Sequence, residues 1–555
     1  MHRVIWSCWF QGRDRAPFIV QKCLESWVSR NPNWDVRILD AGSVRKYLDL
    51  DDYVDLDAQE ITAASLSDII RIQLLHEYGG VWADATTYCS RPIDDWLPRY
   101  MPRGFFAFSD PGPGLLLSSW FLARDAKDEI VGKWAARTRE YWFGRRRADN
   151  YFWFHSLFGD LVGSDSQVAA AWSATPRIKA DGPHRLQWAA AADARALDEQ
   201  LDEAPPVFKL SHRMDAAAWA EKTPIGRLLR SHVAPAQGPE PLPRGVERPV
   251  AFAGLKTTTE NLGDHIQILA AERLLKRADV SIEQRIDRDH EIMSAPGLAE
   301  RPGKTGIVLN GWFKTNPVEW PPSPRLTPMY LGFHIRPFQS PSLIGAQAIE
   351  HYQAHAPIGC RDEYTLELLA SLGVAGFVSN CLSLALPRRL PDPDRQVDLF
   401  VASRDERLLD LLPAELGEPR FVSHYSGDLD FESNLKRAAD LLETYRDRAR
   451  LVVTSLLHCA LPCLAMGIPV VVFYPFQQEA FMRASDRERF SSLRRLVRVY
   501  DASEVGQVNW AGQAVDLAQV KLANVDAFFE KARLWDLPPP RPIGPIAPPG
   551  ILPPP

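Results

Sequence analysis

A chain of 555 residues is too long for a single hydrophobic core, and its length suggests roughly three or four domain-sized units. Apolar residues make up 46% and charged residues 24%, the proportions of ordinary globular protein. Its 64 basic and 70 acidic residues give a net charge of −6, which leaves no global basic field for nucleic acid.

The first informative element is ASLSDIIRIQLLHEYGG, with the punctuation of a helix. Ser65 is placed to cap its start with Asp68 three residues on, Leu66, Ile69, Ile70 and Leu74 form one apolar stripe, and Gly79 stops it. Asp68 and Arg71, three apart, share a face. The following GVWADAT reads as a strand that delivers Asp84 to its C-terminal end. Two acids and an arginine beside a strand terminus suit a nucleotide and a divalent cation; an ordinary surface ion pair, with Asp84 in a turn, is the alternative. Further on, FGRRR (Phe143–Arg147) reads as solvated surface or as a patch for anionic lipid, and YFWFHSLF sets Trp153 and His155 among aromatics. FKLSHR then offers Lys209 and His212.

The Pro- and Gly-rich stretch 232–249 reads as a linker. VAFAGL then restarts an α/β series that divides into two lobes, about 250–395 and 396–535. GIVLNGW, MYLGFHI and AGFVSN supply strands of the first lobe, and VDLFVA, RLVVTS and IPVVVFY supply strands of the second. Two such lobes create a cleft, the usual place for a ligand between open parallel sheets. The segment 536–555 is a Pro-rich tail. The longest apolar run, Leu451–Tyr474, is punctuated by His458, Pro462, Gly467 and Pro469 and reads as buried strand–helix–strand, not a membrane span. With seven scattered cysteines and no signal-peptide pattern, the expected location is the cytoplasm, with peripheral association at the inner face of the cell membrane as a further option.

Within the second series, AGLKTTTENLGDHIQ runs from a strand through a polar loop into a helix near Asp264. Such a loop, with Asn261 and Asp264, presents amide groups and a positive helix end to an anion. PIGCRDEYTLELL places Arg361 and Asp362 immediately before a helix, where an arginine can grip a carboxylate or phosphate. VTSLLHCALPCLAMGIPVVVF puts His458 just past a strand end, as a proton donor or simply as a backbone cap.

SDIIRIQLLHEYGGVWADAT, together with IWSCWFQG, CLESWVSRNPNWDVRILD, SSWFLA, NYFWFHSLF and PVFKLSHR, resembles the capsular polysaccharide synthesis family, sugar transferases of the Asp-x-Asp type. The resemblance implies a GT-A-like fold over 1–231, a UDP- or GDP-linked nucleotide sugar as donor, and Mn²⁺ or Mg²⁺. It assigns Asp84 to the metal side, and Asp68 and Arg71 to the donor sugar and phosphate. Lys209 falls to phosphate and His212 to the metal, while His155 and Trp153 are candidates for an acceptor pocket. Thr86 stands where the family's second Asp would be, so metal binding there would be weaker or routed through water; Thr86 is counted with Lys209 on the donor side.

ENLGDHIQ, PIGCRDEYTLELL, VSNCLSLALP and VTSLLHCALPCLAMGIPVVVF resemble, in order, the polysaccharide pyruvyl transferase family. That resemblance implies a GT-B-like, double Rossmann-like pair of lobes and phosphoenolpyruvate as donor. A pyruvate ketal is placed across two sugar hydroxyls and phosphate is released. His458 would be the acid, Arg361 would grip the donor, and Asn261 and Asp264 would line its site. Where the family commonly reads Thr-Ser-Arg-Leu-His, this chain has Leu456; Arg336 or Lys256 are the candidates to replace the missing charge.

The expectation is therefore a bifunctional enzyme of surface polysaccharide assembly, acting on a lipid-linked or growing glycan. Its tether raises the concentration of one product at the next site. Leu456 favours one rival, a glycosyltransferase whose C-terminal half only binds glycan or a partner. The other rival, a non-catalytic scaffold, is opposed by the intact Asp68, Arg71 and Asp84.

Overall fold

In the computed structural model of the chain, residues 1–188, 205–214, 223–230, 248–298, 302–313, 320–336, 343–476 and 480–537 are described. They fall into two compact units, one within Met1–Glu240 and one within Pro241–Pro538. The segments read as linker (232–249) and tail (536–555) lie almost wholly outside the described residues. Both units are mixed α/β and contain parallel strands.

The first unit is built on a five-stranded sheet in the order Asp35–Leu39, Val4–Cys8, Gly80–Ala83, Leu115–Arg124, Phe105–Gly112. The first three strands are parallel, and Leu115–Arg124 runs antiparallel to both its neighbours. VIWSC and GVWA are short β-branched and aromatic runs buried on both faces, as central strands of such a sheet must be. Gly80 is required here: at φ +86° an added Cβ would lie 2.4 Å from the Val4 carbonyl oxygen. The tryptophans of this half are mostly core; Trp27 and Trp96 pack with Phe106, Phe108 and Phe121 under the sheet.

The helix spans Ala63–Tyr78 and starts before Ser65. Thr62, in the extended conformation a cap requires, accepts the Ser65 N–H at 3.1 Å, so Thr62 and not Ser65 is the cap. The helix is buried nearly all round, so its polar residues Asp68 and Arg71 lie inside and need partners.

The second unit holds two all-parallel sheets. The six-stranded one has the order Gly376–Val378, Ile358–Cys360, Leu326–His334, Lys304–Trp312, Pro249–Lys256, Gln284–Asp287. The five-stranded one has the order Pro419–Val422, Asp398–Ala402, Ala449–Thr454, Val470–Phe473, Val499–Tyr500. In each, the first strand in sequence lies between the second and the third, so the winding reverses there. Loops leaving two such strands diverge and open a crevice at their carboxyl ends.

The last helix, Ala518–Leu534, returns to the first lobe despite its place in sequence. Asn524 donates to the Cys381 carbonyl at 3.1 Å, Lys531 to the Pro357 carbonyl at 2.6 Å, and Trp535 packs on Phe252. Its buried Leu522, Val525 and Phe528 find their apolar partners there, so a lobe division near 395 by chain position does not describe this helix. All seven cysteines are free. Among the described residues no helix is long and apolar enough to cross a membrane.

Candidate active sites

In the first unit, Asp84 directly follows the strand Gly80–Ala83, and its amide is fixed on the Trp120 carbonyl at 2.9 Å. Arg71 from the buried helix bridges two carboxylates, with Nη1 2.9 Å from Asp68 Oδ1 and Nη2 3.1 Å from Asp84 Oδ1. Nη1 also donates to Ser119 at 2.6 Å and Nη2 to Ser67 at 3.1 Å. Trp82 Nε1 donates to Asp84 Oδ1 at 2.9 Å. Lys209 arrives from a two-stranded antiparallel ribbon in which it pairs with Thr87. Its Nζ donates to Asp84 Oδ2 at 3.0 Å and to Thr86 Oγ1 at 2.6 Å. The Asp84 side chain keeps 24% exposure against 5% for Arg71, so the cluster reaches solvent at Asp84.

These partners drive the two carboxyls apart. Burial pushes Asp68 up to about 7, even against the pull of Arg71. Burial acts on Asp84 in the same sense, but Lys209 and Arg71 outweigh it and hold that carboxyl below its usual range. One acid is thus fixed as an anion while the other titrates near neutrality. Tyr151, pushed up by burial and then by Asp68 and Asp84, lies within the field of the cluster. So does His155, which burial and Arg71 push down to about 4 and whose Nδ1 makes no hydrogen bond.

Trp153 stands elsewhere, while His212 lies at the edge of the cluster, where burial, Arg213 and Lys209 lower its pKa. Trp153 is 2% exposed, stacks on Tyr141 and donates to Ser65 at 3.2 Å; it is core, not acceptor pocket, because the apolar helix Trp153–Ser164 turns it inward. His212 is exposed and packs edge-on to Trp9. Among the described residues no group of three or more His, Cys, Asp or Glu side chains is arranged to hold a metal ion. Both Asp84 oxygens already carry cationic or N–H partners, and Lys209 also takes the Thr86 hydroxyl. A hard cation needs several free oxygens, so as arranged these residues do not fit Mn²⁺ or Mg²⁺.

In the second unit, both switch points open on one cavity of about 400 Å³. Asn261, Asp264 and Trp312 line it from the first sheet, and Ser403, Arg404, Ser455 and Leu456 from the second. Asn261 caps the helix Leu262–Arg277, accepting the Gly263 N–H at 3.1 Å. Asp264 lies inside its first turn, paired with Arg288 at 3.0 Å, a partner the sequence pattern did not single out. Burial raises Asp264, but Arg288 outweighs it and holds the carboxyl low. Asp264 is therefore committed to structure on one side while facing the cavity on the other.

Arg361 and His458 line the same cavity. Arg361 is 1% exposed, and its Nη2 makes no hydrogen bond. Its neighbour Asp362 caps the helix Glu363–Ser371, accepting from Thr365 at 3.0 Å, and pairs with His334 at 2.6 Å. His458 sits in a non-helical turn of Leu457–Ala465, its Nδ1 3.4 Å from Gln267 Nε2 and its Nε2 without a partner. Burial and then Arg361 hold it well below the usual histidine range. Of the two residues expected to offset Leu456, Arg336 lines the cavity, whereas Lys256 pairs with Glu291 at 3.2 Å and does not.

Residues 1–228 match the family of the capsular polysaccharide synthesis protein, and residues 261–475 match that of the polysaccharide pyruvyl transferase. The chain joins the two families. Over 171 residues it is 28% identical to the O-glycosyltransferase braB of Annulohypoxylon truncatum, covering 27% of this chain and 39% of that protein. Over 161 residues it is 34% identical to the glycosyltransferase afumC of Aspergillus fumigatus, covering 26% and 41%. The match thus spans about two fifths of the length of these relatives. Among solved structures, the PaToxG glycosyltransferase aligns with a TM-score of 0.20 at 14% identity, over 42% of this chain and 85% of that one. The apo-form glycosyltransferase GlyE of Streptococcus pneumoniae aligns with a TM-score of 0.26 at 10% identity, over 92% and 100%. Both family matches point to polysaccharide biosynthesis.

Proposed function

We propose that the chain carries two transferase activities of surface polysaccharide assembly. The first unit, read as GT-A-like, moves a sugar from a UDP- or GDP-linked donor to a lipid-linked or growing glycan. The second, read as a GT-B-like pair of lobes, adds a pyruvate ketal to that glycan from phosphoenolpyruvate. This reading places the enzyme in the cytoplasm, at the inner face of the membrane where such glycans grow.

The observation that carries it is that each unit concentrates fixed cations at the carboxyl ends of its strands. In the first, Arg71 and Lys209 meet on Asp84, where they would neutralise charge on a departing nucleoside diphosphate. No step in this reading runs through a divalent cation. Asp68 and Asp84 orient the two cations, and Asp84, the most exposed of the four, faces the donor sugar.

In the second unit, Arg361 would hold the donor's carboxylate or phosphate at its unpaired Nη2. Transfer breaks the enol C2–O bond to phosphate, delivers a proton to C3 to make the methyl group, and forms two C2–O bonds to sugar hydroxyls. Both hydroxyl protons leave; one balances the C3 proton and the other departs with phosphate. His458, which lines the cavity and whose buried Nε2 has no hydrogen-bond partner, is the group placed to carry the C3 proton.

The test is a pair of assays on the full chain. A nucleotide-sugar panel should give transfer that Asp84→Asn abolishes and His458→Ala leaves intact, and phosphoenolpyruvate should give ketal formation with the reverse pattern. Sugar transfer without any phosphate release from phosphoenolpyruvate would leave the glycosyltransferase-only reading, which Leu456 favours. Neither activity with any donor would leave a scaffold.

A further inference from the structure

Leu456 lines the C-terminal cavity at the switch point of the second sheet, so the absence of an arginine there leaves a gap in the anion site itself. Yet the cavity is not short of positive charge. Four guanidinium groups line it, Arg336, Arg361, Arg404 and Arg489, drawn from four separate segments of the chain.

We infer that Arg489 supplies the charge that position 456 lacks, completing with Arg336, Arg361 and Arg404 a cradle for a small ligand with both a carboxylate and a phosphate. This inference rests on the reading of the second unit as a phosphoenolpyruvate site and names the residues that make it work.

The charges facing the cavity decide the ligand class. Of its three lining carboxylates, Asp264 belongs to Arg288 at 3.0 Å, and Asp405 is held by Arg407, which stands outside the cavity. Asp486 lies 3.6 Å from Arg489, and both Asp264 and Asp486 also act on Arg336 and Arg404. Asp362 reaches Arg361 at 3.5 Å but is drawn more closely to His334 at 2.6 Å. Four guanidinium groups thus share the cavity with three carboxylates, and two of those, Asp264 and Asp405, are each paired with a further arginine outside it.

Like charges gathered in a partly buried space repel, and an anion that joins them is held strongly. Arg489 is the member whose charge the others feel: after burial, it lowers Arg336, Arg404 and Arg361 alike. Arg489 Nε and Arg361 Nε and Nη2 are buried without hydrogen-bond partners. A planar fork with spare donors suits a carboxylate or phosphate edge, and two such forks suit a molecule bearing one of each. The cavity's 400 Å³ admits a three-carbon phosphate with room for part of a sugar.

Arg489 ends the helix Ala480–Arg489, so it approaches from a different element than the strand–helix turn that holds Leu456. The same anion can therefore be met from another direction, with the strand–helix turn left apolar.

The experiment is calorimetric titration of the full-length protein with phosphoenolpyruvate and, separately, with inorganic phosphate. Four forms are compared: wild type, Arg489→Ala, Arg489→Lys, and Arg489→Ala combined with Leu456→Arg. Wild type should bind phosphoenolpyruvate more tightly than phosphate. Arg489→Ala should weaken it by about tenfold or more, the scale of one lost charge-assisted contact. Arg489→Lys should recover only part, and Leu456→Arg in the Ala background should restore most of it. Unchanged affinity in Arg489→Ala would overturn the inference and leave the pyruvyl-transfer reading standing. Equal loss in both single variants, with no rescue by Leu456→Arg, would make Arg489 merely structural and also overturn it. Wild type that binds phosphate but not phosphoenolpyruvate, with Arg489→Ala losing phosphate, would keep the cradle and sink the donor. Binding of neither would sink both.

Discussion

Lys209 and Asp84 are 125 residues apart in sequence, yet Nζ and Oδ2 lie 3.0 Å apart because Thr87 and Lys209 pair across an antiparallel ribbon. The pair takes up Oδ2, one of the two oxygens with which Asp84 would hold a cation. Sugar transfer should therefore persist in excess EDTA, while Lys209→Ala should lower kcat/KM by about 10- to 100-fold, the effect of one charge-assisted contact. Abolition by EDTA with recovery in Mn²⁺, and little effect of Lys209→Ala, would show the cation displacing the lysine.

Asp68 gives a pH signature. Its folded value of about 7 lies above the ordinary 3.8, so between these limits the folded protein holds a proton that the unfolded chain has released. The stability it contributes is full below the lower limit and is lost as pH rises through the upper one. Thermal unfolding of wild type should lose midpoint from about pH 4 to 7, and Asp68→Asn, neutral throughout, should flatten that slope. Donor affinity should fall later, around pH 7, where the folded-state carboxyl ionises and competes with a diphosphate for Arg71. Parallel pH curves for wild type and variant would contradict this.

Gly263 tests the other unit. A Cβ there would lie 2.9 Å from the His458 Cβ, so Gly263→Ala must move either the helix start or the histidine. Overpacking of this kind costs about 1–3 kcal/mol. Ketal formation should fall sharply while sugar transfer by the other unit is unchanged. Wild-type ketal formation in Gly263→Ala would mean that His458 does not need its present position.

How much of this was legible follows from distance along the chain. Asp68, Arg71 and Asp84 sit in one short run, and helix spacing with a strand end brings them together. Trp82 also lay within reach, two residues before Asp84 on the same strand path. Ser119 and Tyr151 lie in SSWFLA and NYFWFHSLF, stretches that carry the family resemblance without assigning either residue a role, and only the fold brings them near. The six strands named for the second unit were readable as apolar β-branched runs. Gln284–Asp287 and Pro419–Val422 were not, because they are short, polar strands at sheet edges, where burial imposes no pattern. Arg489 had no sequence mark at all: it is one arginine among many in an exposed, charged helix. The sequence favoured Arg336 or Lys256 as substitutes, but proximity to the pattern is not proximity in space. Trp153 misled for a related reason, since an aromatic run reads alike whether it lines a pocket or fills a core.

His458 supplies the last test. In the unliganded cavity, burial, Arg361 and Arg489 hold it neutral, in which form it cannot donate a proton to the enol carbon. A donor bearing a phosphate and a carboxylate reverses the sign of the field around the ring, so the histidine should take up a proton as the donor enters. Titration with phosphoenolpyruvate in two buffers of different ionisation enthalpy, near neutral pH, should report net proton uptake of up to about one per site. His458→Gln should still bind, with little of that uptake and no ketal product. If uptake persists in His458→Gln, the proton lands on another group, such as His334 beside Asp362, and the acid role passes from His458 to whichever residue abolishes it.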